Sequence, residues 1–140
     1  MESRSILISI HPCYTDQILS GKKRIEFRRC WAAYPVDTIV IYATSPVQHI
    51  VAVARVKKVT LASPNTLCDL SVKVGGGISK NKLISYLQGK KKAYGIELTS
   101  VRPLKTPVPL INIFGKKVRA PQSFSYVDKK DLNRLKQYLK

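Results

Sequence analysis

Acidic residues are scarce in this chain: 8 aspartates and glutamates stand against 25 lysines and arginines, for a formal net charge of +17 at pH 7. An excess of that size repels itself unless an anion compensates, so a polyphosphate partner is the first expectation. Cysteine is scarce as well. The 3 cysteines, Cys13, Cys30 and Cys68, are odd in number and widely spaced, which argues against a disulfide framework and fits a reducing compartment, cytoplasmic by default. With 2 histidines beside them there is no zinc-ligand spacing, and neither metal nor cofactor is expected. No apolar run approaches the length of a membrane span. The N-terminal MESRSILISIHPCYT holds too short an apolar stretch for a signal peptide. No segment supplies the basic amphipathic helix with a strong apolar face that a membrane-surface protein would carry.

What is present suits one ordinary domain over residues 1–140, and an apolar fraction of 44% is enough for a real core. ILISI (6–10) is a β-branched run with the composition of a buried strand. YTDQILSG follows as a short helix, with Thr15 as N-cap, Asp16 in the first turn and Gly21 at the left-handed C-terminal position. RIEFRR alternates, placing Ile25 and Phe27 on one strand face and Glu26 and Arg28 on the other. TIVIYA (38–43) is a second buried strand, closed by Ser45-Pro46. HIVAVARVKKVTLA is a long strand with a bulge or bend expected where Arg55 and Lys57 interrupt its apolar face. Residues 63–77 read as loop, and SKNKLISYLQG as a helix capped by Ser79, lined by Leu83, Ile84 and Leu87, and stopped by Gly89. AYGIELTSV alternates again. LKTPVPL keeps the period of two, but Pro107 and Pro109 demote it to an edge strand. SYVDKKDLNRLKQYL closes the chain as a helix with Asp128 as N-cap. The class is mainly β with short helices (α+β). So many short strands must hide their edges, and a small β-barrel flanked by about three helices does so economically.

GKKRIEFR matches G-x-K-x-x-E-x-R at Gly21, Lys23, Glu26 and Arg28. Following a strand and a short helix ending in ILSG, it resembles the ASCH family of PUA-like domains. IVIYATSPVQHIVAVARV looks like that family's next strand, Ser-Pro turn and long strand, and AYGIELTSVRPLKTPVPL like its later barrel strands. The resemblance implies a compact PUA-like β-barrel with a cleft beside the motif, and a nucleic-acid partner. A few relatives are enzymes, some hydrolysing the acetyl amide of acetylated cytidine and others cleaving single-stranded RNA. In the amidohydrolase type the third residue after the motif lysine is a threonine nucleophile. Here that position is Glu26, a poor substitute for a hydroxyl, which weakens the likeness to the deacetylases.

Lys23, Glu26 and Arg28 admit two accounts. They are either an ion-paired network holding turn to strand, or a pocket in which the two cations hold a phosphate or base carbonyl while Glu26 accepts from an exocyclic amine or acts as a general base. A lone acid among cations stays ionised, which favours an acceptor over a proton donor. Arg24 and Arg29 are expected to face outward toward phosphates. Trp31 and Tyr34, in the loop CWAAYP, are the stacking candidates, while Phe27 and Tyr42 belong to the core. The basic runs Lys90–Lys92, Lys116–Arg119 and Lys129–Lys130 read as solvated faces, some of them open to phosphate contact. GGGISK fails the P-loop pattern, and no cysteine has a histidine at nucleophile spacing.

The expected function is therefore binding of single-stranded or modified RNA, favoured over DNA, through Lys23, Arg24, Glu26, Arg28, Arg29, Trp31 and Tyr34. One alternative is a small RNA-directed hydrolase, a ribonuclease before an amidohydrolase, with Lys23 and Glu26 as the working pair. The other is a transcription-regulatory module that meets DNA or an acidic protein, a use for which the C-terminal helix is suited.

Overall fold

The computed structural model describes residues 3–115 and 118–140. Lys116 and Lys117 of the Lys116–Arg119 run lie outside them, as do Met1 and Glu2 at the start of the N-terminal stretch. The chain runs β1 (Arg4–Ile10), α1 (Pro12–Ser20), β2 (Ile25–Arg28), β3 (Val36–Ala43), β4 (His49–Ala62), α2 (Pro64–Val74) and α3 (Lys80–Tyr86). It continues through β5 (Ala93–Val108), α4 (Ile111–Phe114), β6 (Phe124–Val127) and α5 (Lys129–Lys136). The strands form one mixed sheet in the order β2-β5-β4-β3-β1-β6, with β1 parallel to β3 and the other pairs antiparallel.

Several expectations need correcting. The sheet is not closed: β2 and β6 are its ends, and no ladder joins them among the described residues, so the barrel is replaced by a bent open sheet with helices over its faces. Five helices stand where about three were expected. One of the additional helices is α2, in the stretch read as loop. Ser63 accepts a hydrogen bond from the Thr66 amide, Pro64 occupies the first turn, where its missing N–H is harmless, and Gly75 ends the helix at φ 103°. The N-cap of α1 is His11, whose Nδ1 accepts from the Cys13 amide, and not Thr15, which is buried and donates to the Pro12 carbonyl.

The core follows strand alternation. Ile6, Ile8 and Ile10 of β1 and Ile39 and Ile41 of β3 face one side, packed with Ile18 of α1. Leu7, Val40 and Tyr42 face the other, covered by Ile113 of α4 and Leu135 of α5. A third cluster joins Ile25 and Phe27 of β2 to Leu67 of α2, to Leu83 of α3 and to Leu87 at its C-cap. Side chains as fully buried as Ile6, Ile25 and Leu67 each contribute about 1.5–3 kcal/mol over leaving them exposed. β4 shifts register against β5 between Val53 and Arg55 and again between Val56 and Lys58, where the bend was expected. β5 is flanked on both sides only where β2 covers Tyr94–Glu97. Its proline-bearing half lacks that neighbour, apart from an isolated bridge between Leu104 and Leu139. No helix among the described residues is long and apolar enough to cross a membrane.

Candidate functional site

The turn from α1 into β2 builds the site. Gly21 takes φ 85° at the end of α1, a left-handed conformation that glycine adopts at little cost, and the chain doubles back so that the Lys23 amide donates to the Gln17 carbonyl. β2 then buries Ile25 and Phe27 against α2 and α3, which commits Glu26 and Arg28 to the opposite face. Lys23 is 3% exposed and Glu26 is 9% exposed, so both charges are withdrawn from water.

Each charge has partners. Lys23 Nζ donates to the Gly76 carbonyl at 2.5 Å and lies 3.6 Å from Glu26 Oε1. Arg28 donates to Glu26 Oε2 at 2.9 Å and to the Ser9 carbonyl at 2.7 Å. Glu26 thus bridges the two cations, and removing it would strand both. Arg28 Nε is buried with no hydrogen-bond partner among the described residues, a desolvation penalty of about 1–3 kcal/mol. A pocket of about 300 Å³ opens over the three side chains, lined also by Tyr14, Lys82 and Tyr86. Pockets of that volume are at the small end of ligand sites, the scale of one extruded nucleoside and not of a duplex.

Burial lowers the affinity of Lys23 for its proton below the ordinary value. Glu26 opposes this by attraction and hydrogen bonding, while Arg28 adds to it by repulsion. Tyr14 moves the other way: burial first, then the neighbouring Cys13 and Glu26, raise its phenol, which therefore stays protonated as a donor at neutral pH. The Lys23 ammonium also lies over two rings, 5.1 Å from the Tyr14 centroid and 5.6 Å from that of Phe27. Among the described residues no three histidine, cysteine, aspartate or glutamate side chains are grouped as a metal-ligand set.

Of the seven residues expected to bind nucleic acid, Lys23, Glu26 and Arg28 meet at this pocket and Arg24, Arg29, Trp31 and Tyr34 do not. Arg24 is exposed on the far side of the turn, beside Lys57 and Lys73. Arg29, expected to face outward, donates instead to the Tyr86 and Gln88 carbonyls and clamps β2 to the end of α3. Trp31 packs on Phe124 at 5.7 Å, and Tyr34 lies under Arg4, so neither ring lines the pocket. The aromatic rings at its mouth are Tyr14 and Tyr86. Tyr14 could have been found from its place on the turn of helix before the motif. Tyr86 and Gly76 carry no local signal, since both arrive from distant parts of the chain.

Comparison with known proteins agrees with this architecture. Residues 8–105 match the ASCH domain family. A relative from Zymomonas mobilis, named an ASCH domain-containing ribonuclease, is 29% identical over 139 residues, covering 96% of this chain and 91% of that protein. An ATP synthase subunit alpha from Ureaplasma parvum is 26% identical over 127 residues, which span 91% of this chain but only 16% of the length of that protein. The crystal structure of ASCH from Zymomonas mobilis superposes with a TM-score of 0.89 at 26% identity, over 99% of this chain and 98% of that one. The N-terminal domain of Staphylothermus marinus McrB shares the fold, with a TM-score of 0.59 at 11% identity over 98% and 95% of the two chains. The motif at Gly21, Lys23, Glu26 and Arg28, the family match and the whole-chain superposition coincide, and the chain belongs to the ASCH domain family.

Proposed function

We propose that the chain is a single domain over residues 1–140 that takes one nucleotide of single-stranded RNA into the Lys23–Glu26–Arg28 pocket and cleaves the strand there. The observation that carries this is a buried acid held between two cations at the wall of a nucleoside-sized pocket, one of the cations being a lysine whose proton burial loosens. The Zymomonas relative named a ribonuclease supports the same reaction class.

Cleavage of RNA by its own 2′-hydroxyl needs a proton removed from that oxygen as it bonds to the adjacent phosphorus. A second proton must reach the 5′-oxygen as the old P–O bond breaks. Glu26 accepts the first. Lys23, a stronger acid than an exposed lysine, delivers the second. Arg28 bears the charge that gathers on the non-bridging oxygens. Tyr14 and Tyr86 flank the entering base. DNA has no 2′-hydroxyl, so it is bound and left whole.

The test is a denaturing gel of labelled mixed-sequence single-stranded RNA at low salt, with wild type and Glu26→Gln, each checked for folding and for contaminating nuclease. The expected result is shortened RNA with wild type, intact RNA with Glu26→Gln, and an intact DNA oligomer of the same sequence with both. RNA that survives the wild type while still binding it reduces the site to a recognition pocket. That second reading is favoured by the way Lys23, Glu26 and Arg28 already satisfy one another. RNA cut equally by both proteins removes Glu26 from the chemistry.

A further inference from the structure

A second concavity is larger than the motif pocket. It is a groove of about 870 Å³ near the opposite end of β1, and it carries Arg4, Arg55, Arg102, Lys129 and Lys136. All five cations are exposed, and among the described residues none forms an ion pair. Asp37 is the acid on its wall, and its carboxylate accepts from the Thr38 hydroxyl. None of these residues takes part in the cleavage proposed at the pocket.

A row of rings lies along β6, at the level of β1 between its groove end, at Arg4, and its pocket end, at Ser9. It stands on the Ile6–Ile8 face of the sheet, while Arg55, Arg102, Lys129 and Lys136 belong to the face covered by α5. A strand passing from rings to groove therefore turns round the end of β1 at Arg4. β6 pairs antiparallel with β1, setting Phe124 opposite Ile8 and Tyr126 opposite Ile6, so the two rings stand on one face of the sheet's terminal strand. Their centroids are 6.2 Å apart. Trp31 extends the row at 5.7 Å from Phe124, and Tyr34 at 6.1 Å from Tyr126. Tyr126 and Tyr34 are 43% and 40% exposed, while Trp31 and Phe124 back them from the core. The row is anchored at both ends. At one end the Arg4 guanidinium lies 4.1 Å from the Tyr34 centroid and itself lines the groove. At the other, the segment leading into β6 reaches Ser9, whose hydroxyl donates to the Pro121 carbonyl and whose own carbonyl holds Arg28 in the pocket. Arg4 and Ser9 are the two ends of the path, about 17 Å apart along an extended strand.

We infer that pocket, rings and groove form one track for a single strand of RNA, resting on the RNA reading of the pocket: the pocket takes one nucleotide, Tyr126 and Tyr34 stack its neighbours, and the groove cations hold the phosphates beyond. Exposed rings between two cationic sites suit a strand whose bases are splayed, since a duplex keeps its base faces covered. An acidic peptide would use the cations and leave the rings idle.

The test is fluorescence anisotropy with labelled, 2′-O-methylated oligouridylates that the protein does not cut, of about 3 and about 12 nucleotides, titrated across a salt series. The longer strand is expected to bind at least tenfold tighter. In the Arg102→Gln/Lys136→Gln double variant the salt slope for the longer strand becomes shallower by about 1.4, some 0.7 per lost phosphate contact, while the short strand is unaffected. Tyr126→Ala weakens the longer strand about tenfold and Tyr126→Phe does not. Circular dichroism of each variant establishes that it is folded. Equal affinity for both lengths, with the variants unchanged, overturns the track and leaves the pocket reading standing. A polyglutamate that displaces the longer strand as well as unlabelled RNA does assigns the groove to acidic peptides instead. If neither length binds wild type, the pocket reading falls and the track with it.

Discussion

At the scale of single residues, the site is a charge problem with one solution. Lys23 and Arg28 are both withdrawn from water, and Glu26 is the counter-charge they share. Glu26→Ala leaves two buried cations with carbonyl partners only, and the expected loss is roughly 3–5 kcal/mol of unfolding free energy, measured by urea denaturation at pH 7. The pH dependence separates this from a simple cavity. Burial holds the folded Lys23 below its ordinary value of 10.5, so between the folded and unfolded values the unfolded chain binds more protons and stability rises with pH. Without Glu26 the upward pull on Lys23 is gone and that window widens. The deficit of Glu26→Ala is therefore expected to shrink between pH 7 and pH 10, whereas a cavity effect would leave it constant. Lys23, Glu26 and Arg28 were legible in the sequence because a strand period of two and a helix-ending glycine fix their relative places. Their other partners were not, since Gly76 lies 53 residues from Lys23 and Ser9 lies 19 residues from Arg28.

At the scale of elements, the segment that holds Lys23 in place is the glycine run after α2. A β-carbon added at Gly76 would stand 1.8 Å from Ser71 Oγ and 2.8 Å from Ser71 Cβ, so rotating the hydroxyl away does not relieve the clash. Gly76→Ala must therefore shift the segment whose carbonyl binds Lys23. The expected cost is about 1–3 kcal/mol of stability, with RNA cleavage falling further than the loss of folded protein accounts for. Adding Ser71→Gly opens the space, so the cost of Gly76→Ala measured in that background is expected to be smaller. Strict additivity of the two changes would show that the contact does not set the segment's position. In the sequence this run is only a failed phosphate loop, and α2 before it has an irregular pattern, because Pro64-Asn65 and the glycines mask a capped helix. β1, β3 and α3 were readable because their apolar patterns are uninterrupted, and β4 because its alternation holds on both sides of the break at Arg55 and Lys57. α4, at 4 residues, is a single turn, too short for a helical period to register, and β6 runs directly into the N-cap of α5, so no break in the sequence sets it apart.

At the scale of the whole molecule, the charge of +17 acts on fold and partner with opposite signs. The described ion pairs are few. Two of the three share the buried Glu26, where salt screens little, so the rest of the positive surface is self-repelling. Raising KCl from about 50 to about 300 mM shortens the Debye length from above 10 Å to well below it, which weakens that repulsion. The melting temperature in the absence of RNA is thus expected to rise by a few degrees. The same salt is expected to weaken RNA binding, because each phosphate neutralised on a single strand releases counterions. With RNA present the two effects cross: the polyanion raises the melting temperature most at low salt, by mass action on the folded state, and the gain vanishes as salt displaces it. Scanning calorimetry with and without a 2′-O-methylated oligouridylate, over the same KCl series, reads both. A melting temperature that falls with KCl when no RNA is present would mean that attractive surface pairs outweigh the excess positive charge. The basic surface would then be part of how the chain holds itself together and not a face kept open for an anion.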